Sequence, residues 1–158
     1  MLAARSNLAN SHDALGQREE AVKIYRDVYS GRLKLNGKDH RETCRAASNY
    51  ATCLIDLQRF EEAKSVLRKT VRVARRVLGE NDETTIVMRC NYAKSLYREP
   101  GATLDDLREA VTTLKDNEPI ARRVFGGAHP HFLYVERLLH NARAILGVRE
   151  ATEQSGGA

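Results

Sequence analysis

The chain has 158 residues, of which 30% are charged and only 6% aromatic, with no tryptophan. That is enough chain to bury a core without a metal or a disulfide, and the composition favours helices with wet outer faces over an aromatic-rich β-sandwich. The net charge of +5 leaves a nucleic acid, an anionic membrane or an acidic protein as partner classes, beside a surface that is merely solvated.

Residues 2–15 read as a first helix, with Leu2, Ala4, Leu8, Ala9, Ser11 and Leu15 along one side and no cap at its start. Gly16-Gln17 makes a turn. A second helix then runs from about Arg18 to Asn36 and offers Ala21, Ile24, Tyr25, Val28 and Leu35 for burial. Gly31 should weaken it locally, and Asn36-Gly37 closes it. Asp39 followed by Glu42 has the spacing of a capping box for a third helix, which carries Ala46, Ala47, Tyr50, Ala51, Leu54 and Leu57. After a break at Gln58-Arg59, a fourth helix holds Phe60, Ala63, Val66, Leu67, Val71, Val77 and Leu78, and Gly79 ends it. Asp82 opens a fifth, with Ile86, Val87, Tyr92, Ala93 and Leu96.

Here the rhythm slips, because Arg98-Glu99-Pro100-Gly101-Ala102 is a cluster of helix breakers. Ala21 to Ala63 is a step of 42 residues and Ala63 to Ala110 a step of 47, so five residues are inserted. Thr103 and Asp106 supply a capping box for a sixth helix with Leu107, Ala110, Val111 and Leu114. Pro119 lies inside its span and predicts a kink or break near Asp116–Glu118. Gly126-Gly127 ends that unit, and His129-Pro130 opens a seventh helix that buries Leu133, Leu138, Leu139, Ala142, Ile145 and Leu146. Residues 148–158 are expected to form a disordered tail.

The elements repeat. At an offset of 42, Ser6, Asn7, Ala9, Leu15, Glu19, Glu20, Ala21 and Gly37 are matched by Ser48, Asn49, Ala51, Leu57, Glu61, Glu62, Ala63 and Gly79. A fixed period of this size marks a solenoid of helix-turn-helix units. Small residues at Ala9, Ala51 and Ala93, and at Ala21, Ala63 and Ala110, let the paired helices approach closely.

These residues resemble the tetratricopeptide repeats. The family pattern of a large apolar residue, a small one, then Ala and an aromatic four further on falls on Leu8, Ala9, Ala21 and Tyr25. It falls again on Tyr50, Ala51, Ala63 and Leu67, and on Tyr92, Ala93, Ala110 and Leu114. The 42-residue step is similar to that of the kinesin light chain type, as are Leu35-Asn36-Gly37-Lys38-Asp39-His40 and Phe125-Gly126-Gly127-Ala128-His129-Pro130. The resemblance implies an all-α, right-handed α-solenoid over residues 1–147. Its units are about 2–37, 38–79 and 80–126, with a terminal helix at 129–147. It implies a non-catalytic module that binds a peptide of another protein, such as a cargo adaptor; the alternative is the scaffold or regulatory repeat domain of a larger signalling protein. The coiled coil of a complete light chain is missing ahead of the repeats, which reads as a fragment, a truncated product or a free-standing scaffold.

In such a solenoid the first helix of each unit lines the concave face. Helical counting places Asn7, Asn49 and Asn91 there, beside Asn10, Arg45, Ser48, Thr52, Val87, Lys94, Tyr97 and Arg98. A carboxamide donates and accepts at once, as a peptide backbone requires. First helices about 10 Å apart span roughly three residues of extended chain. The resemblance assigns peptide contact to the three Asn; the alternative is that each only bonds the adjacent unit. Arg45, Lys94 and Arg98 favour an acidic peptide, whereas Asp13 and Asp56 face inward too and leave a merely solvated rim open.

A helical-repeat RNA binder is the reading from another class, yet the densest basic run, Arg72, Arg75 and Arg76, lies on a second helix. No phosphate loop, nucleophile elbow or placed carboxylate pair points to an enzyme, and His129 and His131 lack companions for a metal. No cofactor is expected. Cys44, Cys53 and Cys90 fall in apolar helical patterns, and an odd number without a secretory leader reads as a cytoplasmic protein. No apolar run approaches the roughly 20 residues of a membrane span.

Overall fold

The computed structural model describes residues 1–156, and all regular structure among them is helical. The order is α1 (Leu2–Ala14), α2 (Arg18–Asn36), α3 (Arg41–Asp56), α4 (Phe60–Val77), α5 (Glu83–Arg98), α6 (Leu104–Phe125) and α7 (Pro130–Gly156). Each helix packs on its neighbours in sequence, and in addition α3 packs on α5 and α5 on α7. That pattern is an α-solenoid: antiparallel pairs stacked so that first helices form one row.

The small residues do what their spacing requires. Ala9, Ala21, Ala51, Ala63, Ala93 and Ala110 are all fully buried. A Cβ methyl is all that fits where two helix backbones close on each other. Leu54, Leu67, Leu96, Leu107 and Leu114, also fully buried, fill the space between the pairs. Truncating any one of them to Ala costs about 2–5 kcal/mol.

The helix starts mix confirmation with correction. Asp82 accepts from the Thr84 N–H at 2.9 Å, and Thr103 and Asp106 form the full capping box of α6. In α3, however, the cap is His40, whose Nδ1 accepts from the Glu42 N–H at 3.2 Å. Asp39 stands one residue too early and pairs instead with Arg76. His40, Asp82 and His129 thus hold the same repeat position, and His129 accepts from the His131 N–H at 3.1 Å.

Three further expectations fail. α6 runs on through Pro119, so the break expected near Asp116–Glu118 does not occur. The missing N–H leaves only the Lys115 carbonyl without its intrahelical partner, while Leu114, Asn117 and Ala121 stay buried on either side. α7 continues from Val148 to Gly156 rather than giving way to a disordered tail. Arg149, Glu150, Ala151, Glu153 and Gln154 are good helix formers and carry the helix past Gly147. The remaining part of the expected tail, 157–158, lies outside the described residues. Finally, Leu8 is 50%, Leu15 74% and Leu35 71% exposed, and in α7 Leu133 at 50% and Ile145 at 38% are exposed rather than buried. Leu8, Leu15 and Leu35 belong to the first unit, whose outer side no other unit covers among the described residues. Gly31, expected only to weaken α2, lies where a Cβ would stand 2.8 Å from Leu2 Cδ2, so a side chain here would make the tip of Leu2 shift.

Candidate functional site

The first helices α1, α3, α5 and α7 leave two hollows between them. The first, of about 230 Å³, is bounded by Asn7 of α1, Val28 and Arg32 of α2, and Arg45, Ala46 and Asn49 of α3. Asn7 and Asn49 are exposed. Glu42, on the same wall, lies 3.4 Å from Arg45 Nη1 and 3.7 Å from Arg32 Nη2. Two guanidiniums sharing one carboxylate leave the hollow positive.

The second hollow, of about 210 Å³, lies between α3, α5, the end of α6 and α7, with Thr52, Asp56, Asn91, Lys94 and Tyr134 on its walls. Asn91 Nδ2 donates to Thr52 Oγ1 at 2.9 Å, and the Thr52 hydroxyl donates to the Ser48 carbonyl at 2.9 Å. Lys94 Nζ donates to the Tyr134 hydroxyl at 3.4 Å. The Arg137 guanidinium sits 5.4 Å from the centre of the same ring. Burial pushes Lys94 below the usual lysine range, with Asp56 pulling the other way, and pushes Tyr134 up to about 12.

The structure therefore divides the expected row. Asn7, Arg45 and Asn49 meet in one hollow; Thr52, Asn91 and Lys94 meet in the other. Asn91 is 5% exposed and its amide bonds Thr52 of the adjacent unit, although it still lines the hollow. Ser48 is buried and contributes its carbonyl. Tyr97 is 6% exposed, so its ring belongs to the core and is not offered for stacking. Arg98 is exposed, and its guanidinium lies 6.0 Å from the centre of the Phe60 ring. Tyr134 and Arg32, neither of them expected there, also line the hollows, as does His131. Tyr134 was readable from the repeat register, for it follows Arg45 and Val87 at steps of 42 and 47.

The other candidates have structural tasks. The His129 and His131 rings gather on Phe125 at 5.1 and 5.2 Å, and His131 Nδ1 lies 3.3 Å from Glu83. Burial raises the thiols of Cys53 to about 11 and Cys90 to about 12. In the basic run of α4, Arg75 Nε bonds Glu80 at 3.0 Å and Arg76 pairs with Asp39. No helix is long and apolar enough to cross a membrane among the described residues.

Comparison with known proteins extends this geometry. A family model described as tetratricopeptide repeat matches residues 1–74 and again 42–103. No curated protein matches the chain. A crystal structure of a point mutant of TPR-like repeats from Podosopora anserina, described as a kinesin light chain, superposes with a TM-score of 0.80 at 22% identity. It covers 96% of this chain and 70% of that one. The structure of the unmutated repeats gives a TM-score of 0.73 at 21% identity, covering 97% and 70%. BtubC (BKLC) from P. vanneervenii gives 0.58 at 15%, covering 94% of this chain and 64% of that one.

Proposed function

Because the chain belongs to the tetratricopeptide repeat family, whose solenoids are protein-interaction modules, we propose that its row of first helices binds an extended, acidic peptide of a partner protein. One observation carries this reading. The Asn7 and Asn49 carboxamides flank a single positive hollow, and neither makes a hydrogen bond among the described residues. Each can donate to and accept from a peptide backbone laid across α1 and α3. Arg45 and Arg32 hold acidic side chains of that peptide; Lys94 and Arg98 extend the attraction along the row, so that affinity falls as salt rises. Asn91 acts differently: it fixes Thr52 and so holds α3 against α5. A role in attaching cargo, as in kinesin light chains, is supported by the 42-residue step and the similar folds. The absence of stacking surface from Tyr97 and the pairing of Arg75 and Arg76 speak against the RNA reading.

The test is a binding titration of an acidic peptide labelled with a fluorophore, followed by anisotropy. Asn49→Ala and Arg45→Ala each weaken binding by roughly tenfold, about 1.4 kcal/mol. Unchanged affinity in both variants would overturn the proposal.

A further inference from the structure

On the other side of α5, away from both hollows, a cleft of about 210 Å³ opens between α4, α5 and α6. Arg89 forms its floor. This residue is 7% exposed, yet its guanidinium has no ion pair and no hydrogen bond among the described residues. Burial, and then the neighbouring Arg75, push it below the usual arginine range. An arginine nonetheless stays protonated, and since none of its nitrogens is fully sealed from solvent, its charge opens onto the cleft with no carboxylate bonded to it. Packing does not demand it either. The equivalent residue one unit earlier, at the step of 42, is the fully buried Ala47.

The surroundings of Arg89 are suited to an anion. Arg68 and Arg72 stand exposed along the rim on α4, and Thr112 and Thr113 of α6 face them across the cleft. The carboxylates are already accounted for or outnumbered. Glu109 accepts the Tyr92 hydroxyl at 2.8 Å, Glu80 holds Arg75, and Asp116 stands exposed at the margin. Counting Glu80, four guanidiniums, of Arg68, Arg72, Arg75 and Arg89, meet three carboxylates. Guanidiniums from two helices, with hydroxyl donors opposite, supply more charge and donors than the two oxygens of a carboxylate take up, and suit the three acceptor oxygens and roughly double charge of a phosphate monoester.

We propose that this cleft binds a phosphate monoester, with Arg89 at its floor, Arg72 at its rim and the Thr112 and Thr113 hydroxyls as neutral donors. The cleft shares no lining residue with the two hollows. The site therefore stands or falls independently of peptide binding between the first helices.

Calorimetric titration of the full chain tests this, with sodium chloride holding ionic strength constant. One arm uses inorganic phosphate and the other a short peptide carrying a single phosphoserine. Saturable binding of one equivalent is expected, weakened roughly tenfold or more by Arg89→Met and by Arg72→Gln. Arg76→Gln, whose side chain is committed to Asp39 outside the cleft, leaves it unchanged. Tighter binding of the phosphopeptide assigns the phosphate to a modified protein; equal binding assigns it to a free anion. Should Arg89→Met lose its helical circular dichroism, the exposed Arg72→Gln decides. Absence of saturable binding to both probes, or equal affinity in wild type and Arg72→Gln, overturns the proposal.

Discussion

The two asparagines Asn49 and Asn91 occupy one position of the repeat, and their replacement by Ala is expected to have unequal consequences for stability. Asn91 is 5% exposed and donates to Thr52 at 2.9 Å across the α3–α5 contact. Asn91→Ala deletes that bond, worth about 0.5–1.5 kcal/mol net, and opens a small void; the total cost is about 1–3 kcal/mol. In a chain of this length each kcal/mol lowers Tm by about 2–4 °C, so a fall of about 2–12 °C is expected. Asn49 is exposed and its carboxamide bonds nothing among the described residues, so Asn49→Ala stays within about 0.5 kcal/mol. Thermal unfolding followed by circular dichroism at 222 nm measures both. Equal Tm losses in the two variants, or none in Asn91→Ala, would refute the division of labour between them.

Three other outcomes follow from the fold. Pro119 is exposed inside α6, so Pro119→Ala restores a helix hydrogen bond without removing packing. It raises stability by about 2 kcal/mol in a denaturant titration, once the entropy returned to the unfolded chain is subtracted; a loss would mean that α6 is built around the proline. Gln58 holds φ +59°, where the first unit has Gly16 at +76°. Gln58→Gly gains up to about 1 kcal/mol by the same measurement, and destabilisation would show that its side chain holds the turn. The third outcome concerns alkali, where Cys53, Cys90, Tyr25 and Tyr134 have folded pKa values raised to about 11, 12, 12 and 12. For groups raised on folding, the stabilisation is complete below the unfolded values, about 9 for Cys and 10 for Tyr, and is lost as pH climbs through the folded ones. Tm should therefore fall between about pH 9 and 12; a flat profile there would contradict the burial of these groups.

The backbone was largely legible because its signals are local or periodic. Ala51, Asp82 and Gly79 each speak through their immediate neighbours, and the step of 42 multiplies the signal. The site was legible only as a row of positions. Whether Asn49 or Asn91 is exposed depends on which helices flank it, and α5 has α3 on one side and α7 on the other. Helical counting also has a margin of one residue or so, enough to put Tyr97 on the open face when it is buried. Arg89 was missed because a lone arginine in a helix reads as surface. Its alignment with Ala47, a core position, was the available signal. Pro119 misled for the opposite reason: its local cost is real, but the buried residues around it outweigh that cost.

The peptide-binding account is tested most directly by selecting from a random twelve-residue peptide library on the immobilised protein and titrating the enriched sequences. The account predicts acidic sequences that bind wild type more weakly as salt rises and lose roughly tenfold or more on Asn49→Ala. Enriched sequences without acidic bias that bind Asn49→Ala as tightly as wild type would contradict it.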